Sequence, residues 1–198
     1  MKKKIIITGG LGYIGTELCK LYSGVSWHHE IIVIDNRFIS ERVNQLRNWN
    51  MEFIQGDILN KDLISRHFKN ADVVHHLAGV TDVPRVKTES DASKDLKIKE
   101  VGEKGTQNIL DVISDKCKII FPSTHVVYEG IENVKTEIKE NEKTNPVLSY
   151  STSKSINEEQ LKNSGKNYVI LRLGSVYGYS TDSMRIDIMP NLFSKIAS

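Results

Sequence analysis

The stretch ITGGLGYIG, residues 7–15, follows a run of isoleucines near the start of the chain and precedes a helical pattern. Its glycines Gly9, Gly12 and Gly15 have the spacing G-x-x-G-x-x-G. In such a loop the first glycine permits a tight turn, and the second lets the backbone approach a pyrophosphate. The third lets the helix pack closely on the strand, with its N-terminal N–H groups directed at the anion. Taken alone, the motif also fits a structural turn. The rest of the sequence has to distinguish such a turn from a phosphate-binding loop.

The rest of the chain supplies that context, because short runs rich in isoleucine and valine alternate with helical patterns. The runs contain few alternating polar residues, which is typical of strands buried on both faces. Strand and helix in repeated succession predict a Rossmann-like α/β fold, a doubly wound parallel sheet with helices on both faces. The predicted strands are 4–8, 30–35, 52–55, 72–78, 116–121 and 167–173, and the predicted helices are 13–22, 40–48, 61–68, 91–114 and 150–164.

Two acidic residues follow predicted strands at positions that suit a dinucleotide. Asp35 ends the second strand, 20 residues after Gly15, where a carboxylate can bind both ribose hydroxyls of an adenosine. Asp57 follows the third strand, where a side chain could reach the adenine. Each acid alone fits a turn, but together with the glycine loop they predict dinucleotide binding. Asp35 favours NAD because it repels a 2′-phosphate, whereas Arg37 argues for NADP because a guanidinium could accept that phosphate.

Tyr150 and Lys154 form a Y-x-x-x-K pattern at the start of a predicted helix. Residues four apart share a helical face, so the phenol and the ammonium point into the same space. A tyrosine with its usual pKa of about 10 is a poor base at neutral pH, and a nearby positive charge would stabilise its phenolate. Ser123 and Thr124 lie just past the predicted fifth strand, at the edge of the sheet where a cofactor crevice forms. The alternative interpretation of Y-x-x-x-K is an exposed helical pair.

Composition limits the remaining classes of function. A chain of 198 residues with a net charge of +2 is long enough for one sizeable core, and it has no sustained basic face that would indicate nucleic-acid binding. Cys19 and Cys117 have no metal-type spacing and do not suggest disulfides, which fits a reducing compartment. No apolar run approaches the roughly 20 residues of a membrane span. We therefore expect a cytoplasmic protein without a nucleic-acid or membrane partner.

No metal site is predicted from the histidines. His28-His29 and His75-His76 are adjacent pairs, and neighbours on a strand point to opposite faces of the sheet. Neither pair is therefore a natural chelate.

The sequence resembles the extended short-chain dehydrogenase/reductase family, and within it the NAD-dependent nucleotide-sugar epimerases and dehydratases, including the UDP-glucose 4-epimerase type. The segments that carry the resemblance follow one another in family order along nearly the whole chain. They are TGGLGYIG (8–15), IDN (34–36), GDI (56–58), HHLAG (75–79), KGTQNIL (104–110), PST (122–124), YSTSK (150–154) and LRLGSVYG (171–178).

The resemblance implies NAD as cofactor, a nucleotide sugar as substrate and three catalytic residues. Tyr150 would be the general base or acid at the sugar hydroxyl, Thr124 would hydrogen-bond the same oxygen, and Lys154 would hold the nicotinamide ribose and lower the pKa of Tyr150. The motifs imply a wider set of cofactor-binding residues: Gly9, Gly12, Tyr13, Ile14, Gly15, Asp35, Asn36, Asp57, Ile58, Leu77, Ala78, Gly79, Ser123, Tyr150 and Lys154. Thr81 and Ser175 would bind the substrate, and Arg85 could line the sugar pocket.

Departures from the family pattern reduce the number of reactions that the site residues allow. The 4,6-dehydratases carry acidic residues directly after the position of Thr124, where this chain has His125 and Val126. Valine cannot transfer a proton, so 4-epimerisation of a UDP-sugar is favoured. Gly102 and Ser175 stand where many members have asparagine. The loss of these two amides weakens the prediction of the substrate more than the prediction of the cofactor. The alternatives are an NAD(P)-dependent keto-reductase or dehydratase of the same family, and a non-catalytic NAD-binding scaffold.

The resemblance also divides the chain and suggests a homodimer. Residues 1–173 would form the NAD-binding domain, and 174–198 would begin an incomplete substrate-binding segment, because members are longer. A helix that opens at Pro190 and has no capping glycine before Ser198 agrees with a shortened chain. Relatives often pair through the helices that correspond to 91–114 and 150–164. The apolar residues on these helices permit such a contact but could equally cover the sheet: Leu96, Ile98, Val101, Ile109 and Leu161.

Overall fold

The computed structural model describes residues 1–81, 91–132, 136–180, 185 and 188–197. Its strands form one sheet in the order β3-β2-β1-β4-β5-β6, and every neighbouring pair is parallel. The strands are β1 (Lys4–Thr8), β2 (Glu30–Asp35), β3 (Glu52–Gln55), β4 (Val73–His76), β5 (Lys118–Thr124) and β6 (Asn167–Leu173). The predicted Rossmann-like sheet is confirmed. Its strand order reverses between β1 and β4, which is where such a fold binds ligands.

Helices connect the strands in the described parts of the chain. They are α1 (Tyr13–Tyr22), α2 (Ser40–Asn48), α3 (Lys61–Phe68), α4 (Ala92–Lys99), α5 (Gly105–Leu110), α6 (Ser149–Asn163) and α7 (Met189–Ala197). The Asn60 side chain caps α3 by accepting from the Leu63 N–H, and Asp91 caps α4 by accepting from the Ser93 N–H. Such caps satisfy N–H groups that have no partner within the helix.

Two hydrophobic clusters cover the two faces of the sheet. Ile6 of β1 belongs to one cluster, with side chains of α3, α5 and α6. Ile5 and Ile7 belong to the other, with side chains of α1 and α2. Successive side chains of a strand point to opposite faces, so a strand with helices on both sides has to be apolar at every position. This is why β1 and β2 are nearly continuous runs of isoleucine and valine.

The structure corrects two predicted strands. The fourth is limited to Val73–His76, and the fifth runs from Lys118 through Thr124. Ser123 and Thr124 therefore lie within the strand and not past it. Pro122 does not interrupt β5, because β4 pairs only as far as Ile120, and the Pro122 carbonyl faces Lys154 instead of a strand. The missing N–H of proline therefore removes no bond from the sheet.

The predicted helix 91–114 is wrong as one regular element. Between α4 and α5 the backbone forms a π-helical turn at Glu100–Lys104, and α5 ends at Leu110. Gly102 in this turn lies so close to α6 that an added Cβ would be 2.3 Å from Ser153 Oγ. The extra residue of a π turn changes the course of the helix locally, here where it passes close to α6. The spacing of hydrophobic residues does not reveal such a turn.

The five apolar residues considered for a dimer contact differ in burial, and Val101 is partly buried against the core. Ile98, Ile109 and Leu161 are buried in the core, so for these three the alternative holds and they cover the sheet. Leu96 is exposed, with a relative accessibility of 69%. No helix of the described residues has the length and apolar character needed to cross a membrane.

Candidate active site

A cleft of about 750 Å³ lies at the carboxyl end of the sheet, beside the switch between β1 and β4. Every residue predicted for catalysis, cofactor binding or substrate binding borders this cleft. They are Gly9, Gly12, Tyr13, Ile14, Gly15, Asp35, Asn36, Asp57, Ile58, Leu77, Ala78, Gly79, Thr81, Ser123, Thr124, Tyr150, Lys154 and Ser175. Arg85 lies outside the described residues. The fold therefore brings together, from the ends of all six strands and from two helices, residues that are far apart in sequence.

The glycine loop closes tightly on the sheet. Gly9 has φ +67°, and a Cβ there would lie 2.7 Å from the Ala78 nitrogen. A Cβ on Gly15 would lie 2.3 Å from the Gly9 carbonyl oxygen. No side chain can occupy either position without moving backbone. The first turn of α1 contains no acidic residue, and its leading N–H groups have no partner within the helix. The loop thus fits the pyrophosphate of a dinucleotide.

The two acids at the ends of β2 and β3 are held by backbone N–H groups. Asp35 is almost fully buried, and its carboxylate accepts from the Leu11 N–H at 3.0 Å and from the Arg37 N–H at 3.0 Å. Asp57 accepts from the Leu59 N–H at 2.9 Å. Both carboxylates are therefore fixed at the edge of the cleft.

Thr124, Tyr150 and Lys154 border the same cleft. They are not linked to one another by a continuous series of hydrogen bonds. The Lys154 ammonium donates to the Pro122 carbonyl at 2.8 Å and lies 5.8 Å from the centroid of the Tyr150 ring. Burial lowers the pKa of Lys154 to about 8, and the charge of Glu158 opposes this change. Burial raises the pKa of Tyr150, while the charge of Arg185 acts in the opposite direction.

Glu158 supports this group from the side of the sheet, and the sequence interpretation missed it. It is almost fully buried, accepts from Ser123 Oγ at 2.6 Å, and forms a salt bridge with Arg172 at 2.6 Å. Burial by itself would raise the pKa of Glu158, but the hydrogen bonds from Arg172 and Ser123 lower it below its usual value. The Ser123 hydroxyl, predicted to contact the cofactor, is thus engaged with Glu158. Tyr150, Lys154 and Glu158 are spaced four residues apart, which puts them on one face of a helix. This spacing was the sequence signal that could have identified Glu158.

A buried chain of polar side chains joins β1, β4 and α5 close to Tyr150 and Lys154. His76 Nδ1 contacts Thr8 Oγ1 at 3.0 Å, and His76 Nε2 contacts Thr106 Oγ1 at 3.0 Å. The Ala78 N–H donates to the same Thr8 oxygen. Burial, reinforced by the charge of Lys154, lowers the pKa of His76 to about 3, so the ring is neutral.

His75 contacts Tyr22 on the other face of the sheet. No group of three or more potential ligands within the described residues could hold a metal ion.

Basic side chains that the sequence interpretation missed also border the cleft. Arg42 of α2 donates to the Leu11 carbonyl, and Lys97 and Arg185 also line the cleft. With Arg37 and Lys154 they make five basic residues against the two acids Asp35 and Asp57. Arg42 and Lys97 lie on helices, where charged residues usually face solvent, and Arg185 lies outside any helix, so no local pattern identifies these residues. The cleft is suited to anionic ligands.

Helix α7 contacts the glycine loop directly. The Tyr13 hydroxyl donates to the Gly178 carbonyl, and the Asn191 side chain accepts from the Gly178 N–H at 2.9 Å. Asn191 also lies within 3.5 Å of the Tyr13 hydroxyl. The beginning and the end of the described chain therefore meet at one edge of the cleft.

The residues that follow Thr124 do not add acid–base groups to the cleft. The ring of His125 is exposed and contacts the Leu173 carbonyl at 3.1 Å. Val126 donates its N–H to Thr124 Oγ1 at 3.3 Å. The Thr124 hydroxyl thereby begins a short 3-10 turn, His125–Tyr128, as its cap.

Comparison with known proteins gives consistent matches. The model of the NAD dependent epimerase/dehydratase family matches residues 5–198. The UDP-glucose 4-epimerase of Mycoplasma genitalium is 30% identical, over 89% of this chain and 54% of its own length. The dTDP-D-glucose 4,6-dehydratase of Dictyostelium discoideum is 29% identical, over 89% of this chain and 44% of its own length.

Among solved structures, a variant of the UDP-glucuronic acid 4-epimerase of Bacillus cereus matches with a TM-score of 0.78 and 28% identity. The match covers 95% of this chain and 60% of that one, and that protein was crystallised with NAD and a fluorinated UDP-sugar. The chain spans about half the length of the curated relatives it matches.

Proposed function

Because the chain belongs to the NAD dependent epimerase/dehydratase family, we propose that it acts as a 4-epimerase on a UDP-sugar, with NAD as a retained cofactor. The observation that carries this proposal is the position of Thr124, Tyr150 and Lys154 in the same cleft as the glycine loop. A sugar bound between them would lie within reach of both an acid–base group and a hydride acceptor.

We propose that NAD lies along the glycine loop. Gly9, Gly12 and Gly15 would cradle its pyrophosphate at the start of α1, since close backbone approach requires the absence of side chains there. Asp35 would bind the adenosine ribose, and Asp57 would lie near the adenine. The exclusion of any Cβ at Gly9 and Gly15 supports this fit.

In the proposed reaction Tyr150 takes a proton from the sugar hydroxyl and later returns it, while Thr124 donates a hydrogen bond to the same oxygen. NAD, when bound, supplies reversible acceptance of the hydride from the sugar carbon. Burial raises the pKa of Tyr150, so the phenolate depends on positive charge nearby. Lowering a tyrosine pKa by about 3 units takes roughly 4 kcal/mol. The charges of Lys154 and Arg185 support this part of the proposal.

The residues that follow Thr124 favour epimerisation over dehydration. An elimination needs acidic groups beside Thr124, and this chain has His125 and Val126 there, with the His125 ring turned to the Leu173 carbonyl. Epimerisation needs no such acid. The excess of basic side chains around the cleft suits two diphosphate groups, one from the cofactor and one from the sugar nucleotide.

We further propose that residues 1–173 hold the cofactor and that 174–198 begin the substrate-binding segment. Gly174, Ser175, Val176, Arg185 and Ile188 border the cleft, which supports this division. Thr81 would contact the sugar from the opposite wall. The homodimer and the cytoplasmic location stay predictions. Leu96 and Ile156 are partly exposed on α4 and α6, where a second copy would pack, and light scattering would measure the oligomeric state.

The test is to incubate the protein with UDP-glucose, UDP-N-acetylglucosamine and UDP-glucuronic acid separately and to follow the C4 epimer by NMR. We expect conversion of at least one substrate, and a loss of at least about 10²-fold in Tyr150→Phe, which removes the acid–base group. Tyr168→Phe is the matched control, because Tyr168 lies on β6 outside the cleft residues. Heat denaturation should release NAD. Retained NAD with no conversion would favour the scaffold, and an elimination product would favour a dehydratase.

A further inference from the structure

The carboxylate of Glu129 lies at the beginning of α6, the helix that carries Tyr150. Its Oε1 atom accepts from the Val147 N–H at 2.9 Å and from the Leu148 N–H at 2.7 Å. The Ser151 hydroxyl donates to the same oxygen. Two of these donors precede Tyr150 in the chain and one follows it, so a single carboxylate oxygen holds the backbone on both sides of Tyr150.

Helix α6 has no cap of its own at this end. Leu148, the residue that precedes the helix, makes no side-chain cap, and the first turn contains no acidic residue. The first N–H groups of a helix have no partner within it, and the helix dipole favours a carboxylate near them. Glu129 brings that carboxylate from a separate segment. It is itself exposed, but Ser151 is fully buried, so the contact between the two is shielded from water on one side.

Glu129 is joined to Thr124 by the short turn His125–Tyr128. Thr124 begins this turn, since its Oγ1 accepts from the Val126 N–H at 3.3 Å. Glu129 ends it by donating its N–H to the Val126 carbonyl at 3.2 Å. Val127, in the middle of the turn, is fully buried. The turn is therefore a short, fixed connection between Thr124 and the carboxylate that contacts the beginning of α6.

We propose that Glu129 is a positioning residue, which sets the separation between the Thr124 hydroxyl and the Tyr150 phenol. In the proposed reaction both groups act on the same sugar oxygen, so a change in their separation weakens both contacts at once. A displacement of about 1 Å at a reacting group can cost on the order of 10²-fold in rate. This inference rests on the proposed function, but the environment of Tyr150 can be measured without turnover.

The kinetic test compares the unchanged chain with Glu129→Ala and Glu129→Gln on a UDP-sugar that the chain converts. Glu129→Ala should lower kcat by about tenfold or more and leave KM within about twofold, because Glu129 lies outside the residues that border the cleft. Glutamine keeps an oxygen that accepts from the two N–H groups, so Glu129→Gln should recover most of kcat. A merely structural role would lower the melting temperature without separating kcat from KM.

A second measurement follows Tyr150 itself and needs no substrate. NMR of the chain labelled at the Cζ atom of tyrosine reports the protonation of each ring, and the signal absent from Tyr150→Phe identifies Tyr150. Burial raises the pKa of Tyr150, so a looser beginning of α6 lets water reach the phenol and lowers that pKa toward its usual value. We expect this decrease in Glu129→Ala and little change in Glu129→Gln, which separates the loss of contacts from the loss of charge.

Glu137→Ala is the matched control, because it removes a carboxylate from an exposed position of the same connection between β5 and α6. It should change neither kcat nor the pKa of Tyr150. The inference is overturned if Glu129→Ala leaves either quantity unchanged, if Glu129→Gln behaves like Glu129→Ala, or if Glu137→Ala has the same effect. If the unchanged chain converts no sugar, the proposed function fails, and the pKa of Tyr150 alone then decides whether Glu129 positions it.

Discussion

The Ser123 hydroxyl donates to Glu158 Oε1 over 2.6 Å, which ties the end of β5 to α6. Ser123 precedes Thr124 in the strand, and Glu158 lies one helical turn after Lys154. The strand end that carries Thr124 is thereby held against the helix that carries Tyr150 and Lys154. The separation of these groups depends on one buried carboxylate and its partner Arg172.

Replacing Glu158 with glutamine should lower the free energy of unfolding by about 2–3 kcal/mol, because Arg172 and Ser123 lose a charged partner in a buried place. Urea denaturation measures this change. Glu159→Gln is the matched control, since Glu159 is exposed and its pair with Lys162 lies on the surface. That variant should stay within about 0.5 kcal/mol of the unchanged chain. Equal effects of the two changes would contradict the proposed tie.

Gly15→Ala should weaken NAD binding by about tenfold or more and lower stability by about 1–3 kcal/mol, because the added methyl group would meet the Gly9 carbonyl at 2.3 Å. Gly24→Ala is the control, since a Cβ there has no atom within 4 Å. Fluorescence titration with NAD and thermal unfolding measure the two effects. An unchanged NAD affinity in Gly15→Ala would show that the loop does not hold the cofactor.

Lys154→Met should stabilise the protein without cofactor at pH 7 while weakening NAD binding. Burial lowers the Lys154 pKa from 10.5 to about 8, so folding disfavours the ammonium. This destabilisation is fully present below pH 8 and disappears as the pH rises to 10.5, because only the unfolded chain is then still protonated. The gain in melting temperature should therefore shrink over that range. A gain that is independent of pH would contradict the pKa shift.

Gly102→Ala should destabilise the protein by about 1–3 kcal/mol, since the new Cβ would lie 2.3 Å from Ser153 Oγ. Ser153→Ala removes the atom that clashes, so the double variant Gly102→Ala, Ser153→Ala should recover most of the loss. Chemical denaturation of all four proteins gives the coupling energy directly. Additive effects would mean that the π turn and α6 do not limit each other at this point.

The sequence was sufficient to predict the sheet and the glycine loop, because these depend on local patterns, and the predicted site residues that the structure describes border one cleft. Continuous isoleucine and valine runs indicate strands covered on both faces, and the spacing of Gly9, Gly12 and Gly15 indicates a turn that excludes side chains. The course of β5 through Pro122 was not predictable in this way. It depends on where the pairing with β4 stops, which is a property of the assembled sheet.

The buried charges were equally hidden from the sequence. Glutamate is a residue type that is usually exposed, and only the packing of α6 on β5 and β6 shows that Glu158 lies in the interior with the partly buried Arg172 beside it. Arg42, Lys97 and Arg185 reach the cleft from separate elements. The amino-acid sequence alone does not show that such residues converge on one cleft.

The contact between Tyr13 and the turn before α7 links two events that would otherwise be independent. Tyr13 belongs to the loop proposed to hold the dinucleotide, whereas Gly178 and Asn191 belong to the proposed substrate-binding segment and are hydrogen-bonded to each other and to Tyr13. If a bound sugar nucleotide shifts α7, it changes the retention of the dinucleotide by a given factor, and the dinucleotide must change the affinity for the sugar nucleotide by that same factor. In the proposed epimerisation the hydride has to be returned to the sugar, so a positive coupling between the two ligands would favour the reaction. With a positive coupling, the cofactor would be held most firmly at the moment when the oxidised sugar is present.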